Sequence, residues 1–562
     1  MAEAEAMYRR ALEGMEKAWG PEHTSTLDTV NNLGLLYASQ GKMAEGEAMF
    51  RRALEGKEKV WGPEHTSTLN TVNNLGLLYK NQGKMAEAEA MYRRALEGLE
   101  KAWGPEHTST LGTVNNLGLL YKNQGKMAEA EAMFRRALEG KEKVWGPEHT
   151  STLATVNNLG LLYKDQGKMA EAEAMYRRAL EGLEKAWGPE HTSTLGTVNN
   201  LGLLYKDQGK MAEAEAMYRR ALEGLEKAWG PEHTSTLATV NNLGILYTDQ
   251  GKMAEAEAMY RRALEGLEKA WGPEHTSTLG AVNNLGLLYA SQGKMAEAEA
   301  MYRRALEGLE KAWGPEHTSM LDTVNNLGNL YTDQGKMAEG EAMYRRALEG
   351  LEKAWGPEHT STLDTVNNLG NLYTDQGKMA EAEAMYRRAL EGLEKAWGPE
   401  HTSTLDTVNN LGLLYASQGK MAEAEAMYRR AFEGKEKAWG PEHTSTLDTV
   451  NHLGVLYASQ GKMAEAEAMF RRALEGKEKA WGPEHTSTLD MVNNLGLLYA
   501  SQGKMAEAEA MFRRAFEGKE RAWGPEHTST LDTVNKLGVL YADQGKMAEA
   551  EAMFRRMRNQ NF

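Results

Sequence analysis

An all-α solenoid of antiparallel helix pairs is the fold class that this sequence predicts, on three observations. Tryptophan falls at 19, 61, 103, 145, 187, 229, 271, 313, 355, 397, 439, 481 and 523, so every interval is 42 residues. Self-similarity at such a period marks a stacked array, in which each unit buries its apolar face only against its neighbours. Each unit also holds two stretches with apolar residues at helical spacing, each closed by a glycine. No linker or shift of composition interrupts the series. Residues 1–562 therefore read as a single repeat domain of about thirteen helix-turn-helix units of 42 residues.

In chain order, the array opens on a second-type helix at 1–19 that has no partner before it. The first complete unit starts with "TSTLDTVNNLGLLYASQGK", in which Thr24 or Ser25 is the expected N-cap and Gly41 the stop. Leu27, Val30, Leu33, Gly34 and Tyr37 form its buried stripe; this is helix A. In "MAEGEAMFRRALEGKEKVWGP" the stripe is Met43, Met49, Phe50, Ala53, Leu54 and Trp61, ending at Gly62 with Pro63 beyond; this is helix B. Its outer face places Glu47 before Arg51 and Glu55 before Lys59, two i,i+4 pairs in the favourable order. Gly56 recurs inside helix B although an interior glycine costs about 1 kcal/mol against alanine. Close helix approach beside the Trp61 layer and a kink are both compatible with it. The series runs to a last helix B cut short at 547–562.

Leu33-Gly34-x-x-Tyr37, with Ala88-x-x-x-Tyr92 and Ala95 in the following segment, resembles the tetratricopeptide repeat pattern. Two departures are Val30, where that pattern often has tryptophan, and a unit longer than its 34 residues, the extra length falling in helix B. The longer form, with "NNLGLLY", "QGK", "YRRALE" and "GPEH", is similar to the repeats of kinesin light chains and to arrays behind nucleotide-binding modules in fungal intracellular receptors. That resemblance implies a right-handed superhelix whose helix A residues line a concave, peptide-binding groove.

Composition removes several function classes. The net charge of -15 is spread along the repeats without a basic stripe, which argues against a nucleic acid partner. With no cysteine there is no disulfide, thiolate metal site or thiol nucleophile. No apolar run approaches membrane-spanning length, "MAEAEAMYRR" has no signal-peptide core and no glycosylation sequon occurs, so the expected address is cytoplasmic. Nearly every polar residue recurs along a rod, whereas catalysis needs different groups converging once. No enzyme activity, metal or cofactor is expected. His23 in "GPEHTST" has no second histidine at i+3 or i+4 and reads as a loop or helix-entry residue. "GLLYASQGKM" has the wrong glycine spacing for a phosphate loop, and Met43 follows Lys42 where serine or threonine is required.

The copies differ mainly at the places of Asp28, Asn32, Leu35, Ala38 and Ser39. Four of these, Asp28, Asn32, Leu35 and Ser39, fall within a stripe of roughly 60° opposite the apolar set. Exposed helix B charges stay constant instead, which favours diversification of a groove over drift, although block duplication of units is also visible. Within the stripe an asparagine ladder runs through Asn32, Asn74, Asn116, Asn158, Asn200, Asn242, Asn284, Asn326, Asn368, Asn410 and Asn494, with His452 and Lys536 as its two replacements. An amide offers donor and acceptor to the backbone of an extended peptide. Asn329 and Asn371 add amides where other units have leucine. Lys80, Lys122, Lys164 and Lys206 make the early groove basic, and aspartates from Asp322 to Asp532 make the later part acidic, a polarity that would orient a ligand. Between Asp448 and Asp490, His452 is expected to become cationic and make binding there pH-dependent.

The expected function is a protein or peptide scaffold. Two rivals stand beside it: a sensor-repeat fragment of a larger nucleotide-binding switch receptor, and a structural array that self-associates end to end.

Overall fold

The computed structural model describes residues 2–314 and 317–558. Among them lie 27 helices and no strand. α1 (Ala2–Trp19) is a lone helix B, and α2 (Thr24–Ser39) and α3 (Met43–Trp61) form the first pair. The alternation of 16-residue helix A and 19-residue helix B continues to α26 (Thr528–Asp543) and α27 (Met547–Arg558). Residues 559–562, the tail of the expected last helix B, lie outside the described residues.

The helix starts differ from expectation. The N-cap of α2 is His23 rather than Thr24 or Ser25: its backbone is extended and its Nδ1 accepts the Ser25 N–H at 3.3 Å. An imidazole nitrogen thus takes the part that a hydroxyl or carboxylate oxygen usually plays. The ring also packs on Trp19, centroids 4.9 Å apart, and so ties the end of each helix B to the next helix A. The stop is as expected. Gly41 has φ 74, and the Lys42 N–H donates to the Tyr37 carbonyl at 2.9 Å, the 6→1 bond of a Schellman turn.

Leu27, Val30, Leu33 and Tyr37 are buried, as are Phe50 and Ala53 of the paired helix. Gly34 lets the Phe50 ring lie on the helix A backbone, where a Cβ would come within 3.0 Å of it. Gly56 admits Leu27, not the Trp61 layer, and α3 runs unbroken past it, so close approach rather than a kink accounts for it. The same holds at Gly98, where a Cβ would sit 2.5 Å from Leu69 Cδ1. Gly98→Ala should therefore destabilise the array: overpacking costs about 1–3 kcal/mol, against a gain in helix propensity of about 1 kcal/mol. The denaturant midpoint is expected to fall, and a rise would contradict this packing.

The outer charges of helix B hold neighbouring units together. Arg52 pairs with Glu16 and Lys59 with Glu22, each of the preceding unit. Arg51 donates to the Tyr79 hydroxyl at 2.7 Å while pairing with Glu47 at 2.9 Å, and Lys84 reaches that carboxylate at 3.3 Å. Of the two expected i,i+4 pairs in this unit, Glu47–Arg51 forms; Lys59 turns to Glu22 instead of Glu55. The constancy of these positions is thus structural. It is no measure of how fast free surface positions drift, so it no longer separates diversification from drift on helix A.

A longer contact sets the shape. His317 Nε2–H donates to the Asn81 carbonyl at 3.2 Å, His359 to Asn123 at 2.8 Å, His401 to Asp165 at 2.9 Å, His443 to Asp207 and His485 to Asp249 at 3.0 Å. Every pair is 236 residues apart, between five and six units. His275 and His527 lie against Gly41 and Gly293 in the same register. The solenoid therefore winds so tightly that each turn rests on the one before. Because Nδ1 already accepts a serine N–H, the neutral tautomer with its proton on Nε2 satisfies both bonds.

Candidate binding groove

Neighbouring A helices lie side by side, and the variable places of Asp28, Asn32, Leu35 and Ser39 are exposed on the first of them. Amide pairs join them. Asn74 Nδ2 donates to Asn31 Oδ1 at 3.3 Å, Asn116 to Asn73 at 3.3 Å, Asn158 to Asn115 at 3.2 Å and Asn200 to Asn157 at 3.1 Å. Asn242, Asn284, Asn326, Asn410 and Asn494 repeat the bond. Each such amide commits one N–H to its neighbour, and its carbonyl and second N–H are left for other partners. Asn32 is exposed at the start of the row. Asn329 and Asn371 act differently, in that their Oδ1 atoms accept the hydroxyls of Tyr344 at 2.5 Å and Tyr386 at 2.7 Å, tyrosines packed beneath them.

The lysine row is largely neutralised from within. Lys122 pairs with Asp165 at 2.6 Å, Lys164 with Asp207 at 3.1 Å and Lys206 with Asp249 at 3.4 Å, each acid belonging to the next unit. Lys80, with Asn123 at the corresponding place, has no such pair among the described residues, and burial together with the charge of Lys122 lowers its pKa. These lysines also sit where turns meet: Lys122 and Lys164 share a cavity with His359 and His401 of the following turn.

A second set of groove charges was not read from the sequence. Lys57, on helix B, is only 3% exposed, and its Nζ emerges between A helices to meet Asp28 at 2.7 Å. Lys435–Asp406, Lys477–Asp448 and Lys519–Asp490 repeat this at 2.5–2.7 Å. Covariation carried the signal, since all four aspartates stand 29 residues before a lysine, whereas Ala154, Gly196 and Ala238 stand before Leu183, Leu225 and Leu267. In the latter units the groove opens into a cavity of about 600 Å³ lined by Ala154, Asn158, Leu183, Gly196, Asn200 and Leu225. Asp322 and Asp364 break the rule by preceding leucines. Their surfaces are exposed, yet the enclosing coil desolvates them and raises both carboxyls to about 6, with Asp406 and Asp322 adding repulsion at Asp364.

His452 occupies its ladder place, Nδ1 3.0 Å from Asn409 Oδ1 and its ring 5.6 Å from that of Tyr428. The expected cationic switch meets two obstacles. Asp448 and Asp490 are already bound to Lys477 and Lys519. Burial lowers the His452 pKa, Lys435 and Lys477 lower it further, and Asp448 opposes them without prevailing. The imidazole should titrate below 6.5 and be neutral at pH 7. A ring-proton NMR midpoint above 6.5, assigned by its loss in His452→Asn, would contradict this. Lys536 pairs within its own helix with Asp532 at 2.6 Å.

Among the described residues no cluster of His, Asp and Glu could hold a metal ion, and no helix is long and apolar enough to cross a membrane. The tetratricopeptide repeat profile matches residues 1–59, 25–101, 109–185, 193–269, 241–311, 277–353, 319–395, 402–479 and 487–559. No curated protein sequence matches the chain significantly. Similar solved structures include BtubC of P. vanneervenii, with 24% identity and TM-score 0.34, covering 39% of this chain and 88% of that one. Another is a kinesin light chain-type protein of Podosopora anserina with nearly identical TPR-like repeats, with 25% identity and TM-score 0.31, covering 37% and 98%. With that profile spanning almost its whole length in consecutive matches, the chain belongs to the tetratricopeptide repeat family.

Proposed function

We propose that the chain is a non-enzymatic scaffold that binds an extended peptide or protein segment along the inner face of its coil. One observation carries this reading. Successive units present the same half-satisfied amide beside an apolar residue, Leu287 or Leu413 for example, which an extended backbone with alternating side chains can match. Four groups that lack an ion pair among the described residues give the groove its polarity, Lys80 and Lys141 early and Asp322 and Asp364 later. The tight contact between turns supports a second reading, a structural coil whose inner face is incidental.

Peptides selected from a displayed library on the intact protein separate the two. On the groove reading, Leu119→Arg with Leu161→Arg weakens the selected peptides at least tenfold, and Glu97→Arg on the outer surface of helix B does not. Equal weakening by both, or by neither, would refute it.

A further inference from the structure

We propose that the unit containing Gly112 and Lys141 is a binding site for a ligand carboxylate, which occupies the place that an aspartate fills in four other units. It deepens the groove reading, on which it rests for the identification of that carboxylate as a peptide's.

The four lysine–aspartate units are an internal template. In each, a nearly fully buried lysine from helix B sends its ammonium up between two A helices, and a carboxylate from the first of them covers it on the groove side. The carboxylates are about half exposed, so the ammonium ends one side chain's depth below the groove surface. Lys141 keeps its half of the arrangement. It is 6% exposed and donates to the Thr155 hydroxyl at 2.8 Å and the Ser151 carbonyl at 3.2 Å, both in the next helix A. The other half is missing, because glycine stands at 112 and nothing lies within 4 Å of where its Cβ would be. A third N–H of the ammonium has no acceptor among the described residues. Gly112 costs the helix about 1 kcal/mol of propensity, and the ammonium stays desolvated without a counter-ion, a costly arrangement unless an anion from outside completes it. Burial holds the Lys141 pKa down at about 8, as expected of an ammonium without its acid. A carboxylate fits the space and the chemistry: it is the group the template shows bound. Asn70, Gly112 and Ala154 hold the aspartate place in this unit and its two neighbours, so no competing acid stands there.

Lysine side-chain NMR of the full chain tests this, with ¹³C at Cε. Lys141 is the resonance titrating near pH 8, identified by its loss in Lys141→Leu. Acetate at about 0.2 M, against equal chloride, should raise that midpoint by about one pH unit, and acetamide should not move it. Gly112→Asp should raise it without acetate and abolish the response. Should that variant misfold by circular dichroism, Gly112→Asn serves instead: it occupies the space without charge and must also abolish the response. An acetylated, amidated pentapeptide with one central glutamate and an acetylated alanine pentapeptide with a free C-terminus then tell a side-chain from a terminal carboxylate. A midpoint indifferent to acetate and to both peptides overturns the proposal. Because acetate needs no groove contacts, that failure is separate from failure of the library test above.

Discussion

Acidifying the protein from about pH 7.5 to about pH 4.5 is expected to part successive turns of the superhelix while its helices remain intact. Five of the imidazoles where turns meet, those of His317, His359, His401, His443 and His485, must be neutral, since each accepts at Nδ1 and donates at Nε2. Burial against the preceding turn lowers the pKa of His359, His401, His443, His485 and His527, and brings His275 and His317 down to about 4. In a coil whose turns have parted, these rings return to water and to values near 6.5. The parted state then binds more protons, so the contact is at full strength above pH 6.5 and is lost as pH falls through about 4. For His317, only 7% exposed, the difference amounts to roughly 3 kcal/mol. Small-angle scattering should show a larger maximum dimension at low pH with unchanged helicity. Replacing His317, His359, His401, His443 and His485 by asparagine, a competent N-cap, should lengthen the coil already at pH 7.5 and flatten the response. A maximum dimension constant down to pH 4.5 would contradict the contact.

Asp448→Ala should cost about 2–3 kcal/mol, because it strips the acid from Lys477, a lysine 1% exposed. The figure is at the low end for a broken buried pair, since Asp448 is itself half exposed and screened by water. Lys477→Leu alone recreates the pairing found at Asp322 and Leu351, and should cost less. The double variant Asp448→Ala with Lys477→Leu recreates the Ala154 and Leu183 unit and should be close to the parent in stability. A double variant as unstable as Asp448→Ala would show that the two kinds of unit are not interchangeable solutions of one packing problem.

Much of the fold was legible because repetition magnifies local signals. Leu27, Val30, Leu33 and Tyr37 stood at helical spacing in every copy, and Gly41 and Gly62 marked turns that their positive φ angles bear out. What escaped depends on distance or on an unusual chemical role. The contact of His359 with Asn123 depends on superhelical pitch, which accumulates over units from small rotations that no single unit encodes. His23 was placed at a helix entry, but histidine is not among the habitual N-caps, so Thr24 and Ser25 drew that assignment. Lys57 stands in a helix rich in outer charges, and only its coupling with Asp28 marks its burial. The lysines at 122, 164 and 206 find their acids, Asp165, Asp207 and Asp249, one unit further on, a pairing that no single unit displays.

The absence of cysteine allows the groove itself to be tested directly. Single cysteines introduced at Leu119, Leu203 and Leu287 on the inner face, and at Glu97, Glu181 and Glu265 on the outer face of helix B, can each carry a short photo-crosslinker. Irradiation with a peptide selected on the unmodified protein should yield adducts at the inner positions, with successive peptide residues joined to successive units in one fixed direction. Adducts confined to the outer positions, or spread evenly over both faces, would contradict a groove that binds its ligand along the inside of the coil.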